Sequence, residues 1–371
     1  MNFDFSDDLN QLRDQARRFL AENATSKHVR SVLEGEKPYD GALWLKMAEM
    51  GWLGAAMPEE FGGAGIGHEG LCVLAEELGR VVAPVPFTSS ICLAAEAIMV
   101  AGSTAQKRSL LPGFAAGMHI GTLAWAEGMG NPREAAFSAR FANGKISGEK
   151  WPVLDGGSAD LAVVTAQDES GRPLLVLADL RAGGVTRTIL ETVDPSRPQA
   201  KLVLDNVPAE VLGAPGDGWA LLQTVLDRAA VLVAFEQIGG AARCLEMATE
   251  YAQERYAFGR PIGGYQAIKH KLADVYIANE LARSNAYYGA WALQTDAAEL
   301  TLAAASARVS ATEAYHLASK ENIQTHGGMG FTWAADCHLY YRRSKLLGLA
   351  IGSASHWKNR VVAALETSNA A

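Results

Sequence analysis

The amino-acid sequence predicts an N-terminal all-α domain, a middle antiparallel β-barrel domain and a C-terminal four-helix bundle. Three observations lead to it. Apolar residues recur at helical spacing over the first part of the chain, up to about residue 119. From about Ile120 to Gly213 that period gives way to short apolar runs separated by Gly, Asp, Ser and Pro. From Gly218 onward, long helical stripes return. The expected boundaries are 1–119, 120–215 and 216–371. With 371 residues, each part can bury a core of its own.

In the first part, Leu9, Leu12, Ala16, Phe19 and Leu20 share a helical face. Ser6 suits the N-cap, and Asp7 and Asp8 suit the first turn, where the helix dipole favours negative charge. A second helix is expected from Asp40 to Met50, ending at Gly51. The glycine-rich loop from Met57 to Gly65 follows, then helices at about 68–80 and 88–101. In the middle part, Leu161–Thr165, Leu174–Ala178 and Lys201–Leu204 read as strands, and Asp168-Glu169-Ser170-Gly171 as a hairpin turn. Short strands without intervening helices suggest a small antiparallel barrel or sandwich. In the last part, Ile238, Ala241, Ala242, Leu245, Ala248, Ala252 and Tyr256 form one stripe. Helical runs at about 265–295, 299–326 and 338–367 complete an up-and-down bundle.

Composition excludes several classes. A net charge of −8 argues against a nucleic-acid surface, which needs a basic stripe. No run reaches the ~18–20 apolar residues of a membrane span. The polar, helical-period N-terminus is unlike a secretory leader. Cys72, Cys92, Cys244 and Cys337 are scattered without CxxC spacing, which suits reduced core thiols and a cytoplasmic location. The histidines show no HxxxH spacing, so no metal site is expected. Tyr340, Tyr341, Arg342 and Arg343 read as a helix face at a subunit contact.

Two segments carry chemistry. Glu254-Arg255-Tyr256-Ala257-Phe258-Gly259-Arg260-Pro261-Ile262, followed by Gln266, ends one helix and starts another. It offers a guanidinium, helix-start N–H groups and an amide, which suit a diphosphate or adenine. The bland alternative is a helix corner with a surface arginine. Gln324-Thr325-His326-Gly327-Gly328-Met329-Gly330-Phe331 places glycines where a backbone could approach a ligand closely, or where a helix simply breaks.

Together, at this separation, the segments resemble the acyl-CoA dehydrogenase signature ERxxFGxPI…Q followed by QxxGGxG. Pro58-Glu59-Glu60-Phe61-Gly62-Gly63 resembles the family's PEExGG loop. Gln106-Lys107 through Pro112 is similar to its QKxxxLP segment, and Asp205-Asn206-Val207-Pro208 with Leu212-Gly213 to the strand closing its β-domain. The resemblance implies an FAD enzyme that removes an α-proton and a β-hydride from an acyl-CoA thioester and passes electrons to an electron-transfer flavoprotein. By resemblance, Arg255, Phe258, Gln266, Gln324, Gly327 and Gly328 contact FAD, reaching across a subunit interface, so a homo- or hetero-oligomer is implied. Asp227 matches an aspartate that contacts pantetheine.

The chain also departs from the pattern. Abstracting the α-proton needs a positioned, partly desolvated carboxylate. The family's two usual glutamate positions hold Ile351 and Ala229. Glu236, on the same helix as Asp227, is the remaining weak candidate, with solvation or a helix contact as its alternative role. The arginine that would contact acyl-CoA falls on Ala230, beside Arg228. The flavin-contacting threonine becomes Ala126, the flanking aromatic becomes Pro152 and the ring-bonding hydroxyl becomes Leu154. Trp151 could substitute only through a register shift. These losses resemble the non-catalytic half of heteromeric family members that act on steroid-type side-chain thioesters. A self-sufficient homo-oligomer with a relocated base and a redox-inactive binding or regulatory homologue are the alternatives.

Overall fold

The structure, a computed structural model, describes residues 5–134 and 137–370. Helix α1 (Asp7–Asn23) starts as its sequence predicts: the Ser6 hydroxyl accepts from the Leu9 N–H, and Leu9, Ala16 and Leu20 are buried. Helices α2 (Ser26–Leu33) and α3 (Gly41–Glu49) follow; Asp40 caps α3, and Gly51, at φ 74°, stands just past its end. Helix α4 (His68–Arg80) leads to a buried π-helical stretch, Thr88–Ala95, that runs into α5 (Glu96–Ala101). Helix α6 (Thr104–Ala115) begins with a capping box between Ser103 and Gln106.

Seven strands follow: β1 (Gly121–Ala124), β2 (Arg140–Ala142), β3 (Lys145–Leu154), β4 (Leu161–Gln167), β5 (Pro173–Asp179), β6 (Val185–Leu190) and β7 (Gln199–Leu212). The pairings β4–β2–β3–β7–β5–β4 return on themselves, with β1 added on β4 and β6 on β7. The sheet is not wholly antiparallel. β1 runs parallel to β4 from Gly121↔Leu161 to Ala124↔Val164, and β2 meets β4 in parallel at Arg140↔Gln167. Side-chain alternation is the same in either direction, so strand direction leaves no mark in the hydrophobic pattern. The expected hairpin turn lies between β4 and β5: Asp168 accepts from the Ser170 and Arg172 N–H groups, and Gly171 sits at φ 78°.

The C-terminal part comprises α7 (Gly218–Glu254), the small hairpin β8 (Tyr256–Ala257) and β9 (Arg260–Pro261), α8 (Gln266–Gln294) and α9 (Leu300–His326). The single helix expected over 338–367 is two, α10 (Cys337–Leu349) and α11 (Ala354–Ala370). The break falls at Ala350–Gly352, where Gly352 takes φ 109°, and both pieces lie against α9. The C-terminal part is thus three mutually packed long helices, with the expected fourth helix divided into two shorter ones. Among the described residues α7 is long and apolar enough to match a bilayer, but 67% of its apolar window is buried inside the fold. It packs on α4 through two glycines: a Cβ on Gly79 would fall 1.9 Å from the Glu236 carbonyl oxygen, and one on Gly239 1.9 Å from that of Glu76.

A buried ionic cluster ties the three parts together. Arg343 of α10 donates to Asp194 at 2.8 Å and to Glu236 of α7 at 3.2 Å. Arg197 donates to Asp155 at 3.1 Å, and Thr88 to Glu236 at 2.6 Å. Ser89 donates to Asp155 at 2.6 Å. Each charge is paired, which buried charge requires. The reading of residues 340–343 as a subunit contact therefore fails for two of them: Arg343 is buried in this cluster, and Tyr340 is buried with its hydroxyl on the Arg80 carbonyl. All four cysteines are buried and unpaired with one another.

Candidate functional site

The chemistry-bearing residues fall into two places of opposite character. The first is the outer end of α7, α8 and α9. Phe258 and Gly259 form the two-residue tip of the β8–β9 hairpin, at φ 52° and 78°, the pair of positive angles a primed hairpin turn requires. A positive φ is uncommon for phenylalanine, and this side chain is 96% exposed. The hairpin is braced by Tyr265, whose hydroxyl donates to the Ala257 carbonyl while Arg260 lies 4.0 Å from its ring centroid. Tyr251, one turn before the end of α7, stacks on His326 at 4.2 Å and so joins the two motifs. Arg255, Gln266, Gln324, Gly327 and Gly328 are all exposed here. A Cβ on Gly327 or Gly328 would meet nothing within 4 Å. The surface thus presents a guanidinium, two amides and an open glycine turn. Met329, Phe331 and Trp333 lie exposed beyond it, and Tyr276, Ile277 and Leu281 along α8.

The second place is a cavity of about 640 Å³ between the strands and α10. Trp125, Ala126, Trp151, Pro152 and Leu154 line it from the strand side, and Leu346 and Leu349 from α10. The register shift that Trp151 would need is present. Lys150 opposes Leu202 and Val153 opposes Ala200, so β3 carries one extra residue, and both Trp151 and Pro152 reach the cavity. The backbone here is paired with itself: the Trp151 N–H donates to the Ala126 carbonyl at 2.8 Å, and the Gly128 N–H to the Trp151 carbonyl at 2.9 Å. Among the described lining residues the carboxylate is Glu191, which is exposed. Sequence reading did not single out Glu191, Thr192 or Lys345 of this lining.

The remaining positions lie apart from the cavity lining. Ile351 and Ala229 are fully buried, and Glu236 belongs to the ionic cluster. Asp227 is held by the Arg360 guanidinium at 2.5 and 2.6 Å and by the Thr301 hydroxyl at 2.9 Å. Burial pushes its carboxyl above the usual range against the pull of Arg360. Arg228 turns to Glu96 at 2.9 Å and lies 3.0 Å from His68 Nε2. Burial would raise the Glu96 carboxyl, but His68 and Arg228 hold it below its ordinary value. Arg360 was not foreseen as the partner of Asp227, because nothing in the helical period of residues 338–367 marks which side chain turns inward.

Family models of the acyl-CoA dehydrogenase N-terminal domain and C-terminal domain match residues 6–118 and 216–365. The chain belongs to the acyl-CoA dehydrogenase family. It is 32% identical to the acyl-CoA dehydrogenase IpdE2 of Mycobacterium tuberculosis, over 90% of this chain and 89% of that protein. A solved variant of the Tcur3481-Tcur3483 steroid ACAD superposes with a TM-score of 0.88 at 34% identity, covering 98% of this chain and 99% of that one. The ChsE4-ChsE5 complex of Mycobacterium tuberculosis gives a TM-score of 0.89 at 27% identity, over 99% of each chain. The acyl-CoA dehydrogenase fold is thereby established, with the mixed sheet and the divided last helix described above.

Members of this family use FAD, and the two places in this chain fit it unequally. The exposed motif surface has the donors and the open glycine backbone to lie against a dinucleotide. The cavity fits the flavin ring less well. Its walls at Ala126, Pro152 and Leu154 carry no side-chain donor for ring nitrogens and oxygens, whose burial without partners is costly; Asn131, Thr192, Gln199, Lys345 and Ser353 line it elsewhere.

Proposed function

We propose that this chain is the non-catalytic subunit of a heteromeric acyl-CoA dehydrogenase that desaturates a steroid-type acyl-CoA thioester. Its three domains, 1–119, 120–215 and 216–371, would assemble with an unlike family member. There Arg255, Phe258, Gln266, Gln324, Gly327 and Gly328 would contact FAD held by the partner, and the partner would supply the carboxylate for the α-proton. FAD, when bound there, accepts the β-hydride, and an electron-transfer flavoprotein is the expected acceptor. The observation that carries this reading is the asymmetry between the two places: the outward surface presents its guanidinium, amides and glycine turn together and exposed, whereas the cavity is apolar at Ala126, Pro152 and Leu154 and has no buried carboxylate among its described lining residues. Asp227 locked on Arg360 argues the same way for the pantetheine. The paired naming of the Tcur3481-Tcur3483 and ChsE4-ChsE5 proteins is consistent with two-chain assemblies in close relatives.

The test is expression of the chain alone and with a second family member that retains the glutamate. A colourless chain that yields a yellow, acyl-CoA-bleachable complex only on co-expression supports the assignment. A yellow homo-oligomer that bleaches with acyl-CoA overturns it; the base would then be sought between Glu191, on the cavity, and Glu236, and the change to glutamine that abolishes bleaching would identify it.

A further inference from the structure

We infer that the cavity between Trp125, Trp151 and α10 is a ligand site in its own right, for a flat, uncharged, ring-containing and mostly apolar molecule that carries a hydrogen-bonding oxygen. This rests on the proposal that the chain does not hold its own flavin there. A volume of about 640 Å³ is that of a small-molecule pocket. Two indoles and a proline contribute flat apolar faces, and leucines from the π-helical stretch, the strands and α10 complete the wall. Rigid rings suit such walls better than a flexible chain, because they lose less conformational freedom on binding.

The polar groups narrow the choice. Thr192 lines the cavity, and its Oγ1 is buried without a protein partner. An orphaned hydroxyl is best satisfied by a single ligand oxygen, such as a ketone or hydroxyl. Glu191 and Lys345 bring opposite charges to the same lining, and the Lys345 Nζ already lies 2.7 Å from His316 Nδ1. Neither sign of ligand charge is therefore favoured. Riboflavin is flat too, but the pyrimidine side of its ring carries several nitrogens and oxygens, and the side chains of Ala126, Pro152 and Leu154 offer them no donor.

The experiment is a titration of the purified full chain, alone and in complex with its partner, following tryptophan fluorescence. The probes are progesterone, a neutral four-ring diketone, and riboflavin. Progesterone is expected to quench saturably at one per chain and to bind at least tenfold more tightly than riboflavin. Leu349, 65% exposed at the lining, can be changed without disturbing the core. Leu349→Arg is expected to weaken progesterone at least tenfold with an unchanged unfolding midpoint. Thr192→Val is expected to weaken progesterone several-fold and to leave the parent hydrocarbon pregnane unaffected. Non-saturable quenching, tighter riboflavin than progesterone, or indifference to Leu349→Arg would each overturn the site. Failure of the subunit proposal reads differently, as flavin colour and acyl-CoA bleaching in the chain alone.

Discussion

Glu236 accepts a hydrogen bond from Thr88 and faces Arg343 at 3.2 Å and Arg197 at 3.7 Å, all of them buried. A carboxylate held this way stabilises two guanidiniums and is not poised to take a proton from a substrate. Glu236→Gln should therefore lower the stability of the chain by about 1–3 kcal/mol. Arg343→Leu, which takes from Asp194 its buried guanidinium and from Glu236 one of two, should cost about 3–5 kcal/mol. Urea unfolding of both variants checks this, and turnover of the co-expressed Glu236→Gln complex should stay within about twofold of the parent. A hundredfold loss of turnover at unchanged stability would restore Glu236 as the base. Lys150 offers a second reading at this scale. Burial, only partly offset by Glu127, brings its ammonium from 10.5 down to about 8. The unfolded chain keeps that proton up to 10.5 and the folded chain only to about 8, so between these values the unfolded state binds more protons. Stability from this group consequently rises with pH across that window and the gain is absent below it. In urea unfolding, the stability of the parent relative to Lys150→Met should rise by about 2 kcal/mol from roughly pH 7.5 to 9.5.

At the scale of elements, α4 crosses α7 at close range, where Gly79 and Gly239 let each backbone touch the other. Gly239→Ala would press a methyl group onto the Glu76 carbonyl, and backbone cannot move aside as a side chain can. A destabilisation of about 3 kcal/mol is expected, read from chemical denaturation. This crossing was invisible in the sequence, because a glycine inside a helical stripe looks the same whether it meets solvent or another backbone. The starts of α1, α3 and α8, by contrast, were legible, since caps and turn residues act locally: Ser6, Asp40 and the Gly259-Arg260-Pro261 corner state their own geometry. The division of α10 from α11 was not legible. Leu346, Leu347, Leu349 and Ile351 keep an apolar run through the break, so the period shows no interruption where Gly352 turns the chain. The parallel pairing of β1 with β4 escaped for the reason that alternation carries no direction.

At the scale of the molecule, the losses at Ala126, Pro152 and Leu154 were readable one position at a time, but their sum was not. Only the folded chain shows that they line one cavity, that Trp151 reaches it through a bulge, and that Arg360 occupies Asp227. It also shows how much apolar surface the opposite end leaves exposed: Phe258 at 96%, Phe331 at 79%, Tyr256 at 64% and Met329 at 55%. Exposed apolar patches of this kind mark interfaces, and two variants separate packing from cofactor contact there. Phe331→Glu alters a side chain with little to lose in the folded chain, so the unfolding midpoint should hold while light scattering shows the co-expressed complex falling apart. Arg255→Ala removes a guanidinium at the same end without adding charge repulsion to the apolar contact. Its complex should still assemble, yet release FAD at least tenfold more readily on dilution, about 1.4 kcal/mol or more. Assembly with undiminished FAD retention in Arg255→Ala would mean that this end serves only to join subunits, and the lending of FAD contacts would have to be assigned elsewhere on the chain.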